Sequence, residues 1–139
     1  MIVLDTNVLS EPLKARPDPL VLEWMANLTG EVAVTAISVG ELLSGAGRLA
    51  PGRRRTGLLA AIEQTLTTFA EAVLPYDGAA ARAYAQMQGA RRQVGSPLSV
   101  EDGMIAAICS VHDAGLATRN IKDFEDLGLR LVDPWAAQA

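Results

Sequence analysis

Met1-Ile-Val-Leu-Asp5-Thr6-Asn7 is the stretch whose reading decides the fold of this chain. Ile2 to Leu4 form a short apolar run of the kind that makes a fully buried strand. The run halts at Asp5-Thr6-Asn7, residue types that favour caps and turns. Asp5 therefore sits just past a strand end, which in open α/β sheets is where ligands bind.

Outward from there the chain alternates. Residues 19–28 carry Leu20, Val21, Trp24, Met25 and Leu28 at amphipathic helical spacing. Residues 32–37 read as a second strand, with Ser38 opening a helix through Leu42 and Leu43. Pro51-Gly52 begins a basic loop, followed by a helical pattern over 58–69. A third short strand is expected over 72–76, where Pro75 puts its end near a sheet edge. Helices over 79–92 and 100–112 are separated by Gly95-Ser96-Pro97, and residues 115–118 and 129–132 are the last strand candidates. Short apolar strands alternating with helices predict a three-layer α/β/α sandwich around a mostly parallel sheet. With no repeat and no long linker, the 139 residues are expected to form one domain.

Half of the residues are hydrophobic and a fifth are charged, as in a globular chain rather than a disordered one. Cys109 is the only cysteine, so no internal disulfide can form and a reducing, cytoplasmic setting is expected. The N-terminal apolar run is too short for a signal peptide, and no stretch approaches the roughly 20 apolar residues of a membrane span. The net charge of −4 argues at first against a nucleic-acid partner. Yet ten of the twelve basic residues are Arg, and Arg48, Arg53, Arg54 and Arg55 fall close together. An acidic site can still act on phosphates when a metal ion stands between the two anions.

Asp5, Glu41, Asp102 and Asp123 all fall just after expected strands or at helix starts. Each has a structural alternative. Asp5 can cap the next helix. Ser38-Val-Gly-Glu41 and Ser99-Val-Glu-Asp102 both fit the capping box, a hydroxyl answered three residues later by an acid. Asp123 can be a solvated loop acid. If the acids converge at one sheet edge, the energetics change. Two carboxylates ~4 Å apart repel by on the order of 4 kcal/mol at an effective dielectric near 20. Such a cluster needs protons or a cation, and oxygen-only ligands suit Mg²⁺ or Mn²⁺.

Taken together, Met1 to Glu11, Ser38-Val-Gly-Glu41-Leu, Glu101-Asp102-Gly-Met-Ile-Ala-Ala, Ala117-Thr-Arg-Asn-Ile-Lys-Asp-Phe124 and Asp133-Pro-Trp135 resemble the PIN-domain nucleases. The likeness is greatest to the VapC toxins of bacterial toxin–antitoxin pairs, in their FitB-like branch, and covers essentially the whole chain. It implies a Mg²⁺-dependent endoribonuclease, with Mn²⁺ as a substitute, that cleaves RNA, often a structured RNA such as tRNA, by metal-activated water. It carries the family's metal-surrounding acids onto Asp5, Glu41 and Asp102, with Asp5 and Asp102 as the metal ligands. The fourth acid departs from one version of the pattern, because Asn120 follows Arg119, so Asp123 takes the role and Asn120 becomes a polar neighbour. Thr6 and Thr118 would orient the water or the phosphate. The resemblance also implies a VapB/FitA-like antitoxin partner and a homodimer. Arg53, Arg54 and Arg55 can grip RNA phosphates or antitoxin acids, or simply be solvated.

His112 lies late in a helix, where a surface position is expected, and Cys109 reads as a small buried hydrophobe. One Cys and one His exclude a structural zinc site. Trp24 and Trp135 read as packing residues. Two rival functions stand beside the nuclease. A haloacid-dehalogenase-type phosphatase also opens on a strand ending in Asp, but needs a second Asp two residues on, where this chain has Asn7. A catalytically silent PIN-derived module would bind metal or antitoxin and leave RNA intact.

Overall fold

The computed structural model describes residues 1–136. Five strands, β1 (Ile2–Leu4), β2 (Val32–Thr35), β3 (Ala72–Leu74), β4 (Gly115–Ala117) and β5 (Leu131–Val132), form a sheet in the order β3-β2-β1-β4-β5, every pair of neighbours parallel. Between them run helices α1 (Thr6–Ser10), α2 (Pro19–Ala26), α3 (Ala36–Gly47), α4 (Arg53–Phe69), α5 (Gly78–Gln93), α6 (Val100–Val111) and α7 (Ile121–Phe124).

Alternation along the strands feeds two cores. Leu4, Val32 and Val34 point to one face and pack with Val8, Val21, Leu42, Ile62 and Leu66 of α1 to α4. Val3, Ala33 and Leu116 point to the other, among Ala80, Ile105, Ile108, Cys109 and Phe124 of α5 to α7. Both faces of the sheet are thus covered, which is the three-layer sandwich that apolar strands of this length call for. Within the second layer α5 and α6 approach closely. A side chain at Gly103 would place its Cβ 2.6 Å from the Tyr84 ring, so the glycine is what lets α6 lie against α5. Pro75 follows β3, an edge strand of the sheet.

The expected elements appear with shifted ends. Four differences matter. Ile37 and Ser38 do not border a strand, because β2 stops at Thr35 and the helix starts at once. Arg53 to Arg55 are not in a loop but form the first turn of α4. Three cations oppose the positive end of a helix dipole, which is why local reasoning breaks the helix there. Packing of Leu58, Leu59, Ile62 and Leu66 against the first core holds it instead. The short helices α1 and α7 fall where the residues alone read as turn and loop. No helix among the described residues is long and apolar enough to cross a membrane.

Candidate active site

The sheet order decides where side chains can gather. From β1 the chain moves outward through β2 to β3, then returns to place β4 on the other flank of β1. The carboxyl ends of β1 and β4 therefore border the switch point at which such sheets open a crevice. Leu4 pairs with Ala117, and the ladder runs one step further. The Asp5 N–H donates to the Ala117 carbonyl at 2.9 Å, and the Thr118 N–H donates to Val132 at 2.9 Å.

Asp5 and Thr118 thus leave adjacent strand ends side by side. The Thr118 hydroxyl donates to Asp5 Oδ2 at 2.7 Å, and the Thr6 N–H donates to Asp5 Oδ1 at 2.8 Å. Thr118 Oγ1 in turn accepts the Asn120 N–H at 3.1 Å, which directs its one proton toward Asp5. Asp5 is only 4% exposed, and Thr118 is fully buried. Asp5 does cap α1. The cap occupies one lone pair of a carboxylate that has several, so capping and chemistry are compatible.

Glu41 is placed by a route different from the expected capping box. Thr35, the last residue of β2, caps α3 by accepting the Ser38 N–H on its hydroxyl at 3.1 Å. Ser38 is therefore inside the helix, and Glu41 has no part in starting it. Instead, Thr6 Oγ1 lies 2.9 Å from the buried Ser38 Oγ and 3.2 Å from Glu41 Oε1. Thr35 Oγ1 is 3.4 Å from Ser38 Oγ. With one proton per hydroxyl, donation can run from Thr35 through Ser38 and Thr6 to Glu41. Ser99 behaves as expected: it caps α6, accepting the Asp102 N–H at 3.2 Å. The cap uses the backbone of Asp102, which leaves its carboxylate for other partners.

Electrostatics link these positions. The carboxyls of Asp5, Glu41 and Asp102 are all pushed above their ordinary values, in each case first by burial. Hydroxyls pull back: Thr118 on Asp5, Thr6 on Glu41, Ser99 on Asp102. Neighbouring anions then push upward again. Asp123 acts on Asp5; Asp5, Glu101 and Asp102 act on Glu41; Asp5, Asp123 and Glu101 act on Asp102. Every charge that shifts these three acids is another carboxylate. Glu11 makes the contrast. Also buried, it receives the Lys14 ammonium at 2.8 Å and the Asp18 N–H at 2.9 Å, and its carboxyl is held below its ordinary value by the Lys14 contact first. An acid paired with a cation and acids that meet only hydroxyls, amides and other acids differ in sign.

Asp5, Glu41, Asp102 and Asp123 therefore share one field, and sequence reasoning missed its fifth member, Glu101. The available signal was two consecutive acids in the first turn of α6. Asp123 itself is exposed on α7, and Asn120 precedes that helix, contributing its backbone N–H rather than a side-chain cap. Arg53 and Arg54 are exposed and Arg55 is half-buried. Cys109 is buried, its thiol pushed up to about 12 chiefly by burial, which makes it inert at neutral pH. His112 is exposed at the end of α6. Trp24 and Trp135 pack against the first core, and the Arg119 guanidinium stacks 5.0 Å above Trp135. Asn7 takes the Arg119 N–H on Oδ1 at 3.3 Å. Among the described residues, no group of three or more His, Cys, Asp or Glu side chains is gathered closely enough to hold a metal ion.

Asp5 is thus a buried acid at the switch point of an all-parallel sheet, hydrogen-bonded to Thr118 and Thr6 and within the field of Asp123. The PIN-domain family model matches residues 2–128, and the chain belongs to that family. It is 40% identical over 137 residues to the VapC ribonuclease Y4jK of Sinorhizobium fredii, covering 97% of this chain and 98% of that one. It is 30% identical to the tRNA(fMet)-specific endonuclease VapC of Salmonella typhimurium, covering 94% and 96%. The crystal structure of FitAcB from Neisseria gonorrhoeae superposes with a TM-score of 0.91 at 36% identity, covering 99% of this chain and all of that one. Within the family its place is the FitB-like branch of the VapC toxins.

Proposed function

We propose that the chain is a divalent-metal-dependent endoribonuclease and the toxin of a toxin–antitoxin pair. One observation carries this reading: Asp5, Glu41 and Asp102 all have raised carboxyl pKa values, and each charge acting on them is another acid. Mutual repulsion of this kind raises the affinity of the edge for a proton or a cation. The donors are oxygens only, which fits hard Mg²⁺ or Mn²⁺ rather than zinc. Asp5 and Asp102 would hold the ion, and two carboxylates suffice because Mg²⁺ keeps several waters. Ribonuclease names among the relatives support RNA as the substrate, and the Salmonella relative supports tRNA as its class.

When bound, the cation supplies the positive charge that lets a phosphodiester approach this acidic edge and polarises its phosphoryl oxygen. The chain's own residues do the rest. Thr118 and the Thr6 N–H fix both oxygens of Asp5, so the carboxylate does not rotate. Glu41, exposed and with its carboxyl raised above its ordinary value by partial burial, takes the proton from the attacking water. The Thr6 hydroxyl stands between the Ser38 hydroxyl and Glu41 and orients that carboxylate. Asp123 adds negative charge at the rim, and Asn120 holds Thr118 in register.

Likeness to solved toxin–antitoxin structures supports a VapB/FitA-like antitoxin as partner; that it covers the site and that the toxin forms a homodimer belong to the same proposal. The deciding experiment incubates the purified chain with bulk tRNA plus Mg²⁺ or Mn²⁺, then sequences the new RNA ends. Discrete cuts that vanish with chelator and in Asp5→Asn are expected. Intact RNA in the presence of both metals would leave a silent binding module and end the nuclease proposal.

A further inference from the structure

Arg91, on the last turn of α5, makes four contacts that tie together two segments remote in sequence. Nη1 donates to the Ser96 carbonyl at 2.9 Å and lies 3.3 Å from the Ser96 hydroxyl. Nη2 donates to the Asp123 carbonyl at 2.7 Å and to the Glu125 carbonyl at 3.3 Å. One planar fork thus spans the loop that leads into α6 and the carbonyl end of α7. Three residues earlier on the same face of α5, Gln88 is buried and grips that loop a second time. Its Nε2 donates to the Leu98 carbonyl at 2.9 Å, and its Oε1 accepts the Leu98 N–H at 2.8 Å. Leu98 directly precedes Ser99, the cap of α6, whose first turn carries Asp102.

All but the Ser96 hydroxyl contact go to backbone, and that backbone carries two of the acids. The loop end sets where α6 begins and so where Asp102 stands. The Asp123 carbonyl belongs to the residue whose carboxylate raises both Asp5 and Asp102. We infer that Arg91 is a positioning residue whose guanidinium, clamping the α6-leading loop to α7, sets the spacing between Asp102 and Asp123. This inference rests on the metal-dependent reading above. A lysine cannot replace the fork, because an ammonium is a point donor without two parallel N–H arms. Gln88 fixes the loop relative to α5, so Arg91 moves α7 against a rigid reference.

The test is a double-mutant cycle read by Mn²⁺ alone, using water-proton relaxation well below the melting temperature. Arg91→Lys should weaken Mn²⁺ binding about 10-fold, the lower end for residues that orient metal ligands. In the Asp123→Asn background the same change should cost less than about twofold, because the group it positions is gone. On bulk tRNA, Arg91→Lys should lower kcat with KM unchanged, while melting in EDTA stays near wild type. Arg91→Gln, a planar donor of shorter reach, repeats the cycle so that unfolding of one variant does not close the test. Unchanged Mn²⁺ affinity in the Arg91 variants, or equal losses with and without the Asp123 carboxylate, overturns the clamp. Wild type that neither binds Mn²⁺ nor cuts tRNA rejects the metal reading itself and the clamp with it.

Discussion

Thr118 shows how a small side chain can govern a charged one. Its hydroxyl is the partner of Asp5 Oδ2, in a place with no exposure to water. Thr118→Val keeps the shape and removes the donor, leaving a buried acceptor unmatched. That should cost about 1–3 kcal/mol of stability and push Asp5 still higher, with RNA cleavage falling accordingly. Thr118→Ser should restore both, as followed by urea unfolding and a tRNA cleavage assay. Glu41→Gln and Asp102→Asn separate capping from chemistry. The structure assigns the α3 cap to Thr35, and the α6 cap uses the Asp102 N–H rather than its carboxylate. Both variants should therefore melt within about 1 kcal/mol of wild type, within reach of an ordinary cap effect, and lose cleavage. Unfolding of either, or normal cutting, would return these acids to a structural role.

At the scale of elements, what the sequence made legible follows from burial. Ile2 to Leu4 and the apolar runs after it announce buried strands because a parallel sheet covered on both faces favours near-continuous hydrophobic runs. The α3 start is not legible locally, because Thr35 and Ser38 are both good caps and only the strand end chooses between them. Glu101 escaped notice because consecutive acids at a helix start are ordinary dipole complements. Clustering is a tertiary fact: Asp5 and Thr118 stand 113 residues apart in sequence, and no local pattern reports their contact. Helix α4 offers the complementary case, a helix beginning on Arg53, Arg54 and Arg55 against its own dipole. Replacing all three with Ala should leave thermal melting unchanged or slightly improved. Loss of tRNA or antitoxin affinity, with a shallower salt dependence, is the expected outcome. Unaltered binding would make them a solvated face.

For the whole molecule, the acid cluster couples folding to pH and to metal. A carboxyl raised in the folded state binds its proton more tightly there than in the unfolded chain. With metal chelated, the stability these groups contribute is full in acid. It declines as pH rises from their ordinary values of 3.8 and 4.5 through the raised folded values. Glu11, shifted downward, opposes this trend, so the comparison that isolates the cluster is wild type against Asp5→Asn. Urea midpoints in EDTA from about pH 4.5 to pH 7 should fall more steeply for wild type. Added Mg²⁺ should recover the loss by mass action in wild type and much less in the variant. Parallel pH curves for the two proteins would remove Asp5 from the cluster.

The strand order has a consequence for synthesis. β1 leaves the ribosome first yet occupies the middle of the sheet, and one of its two flanks stays bare until Gly115–Ala117 emerges. Asp5 meets Thr118 only at that stage. Under the proposed function, a chain still short of Thr118 would have an incomplete site and could not cut RNA.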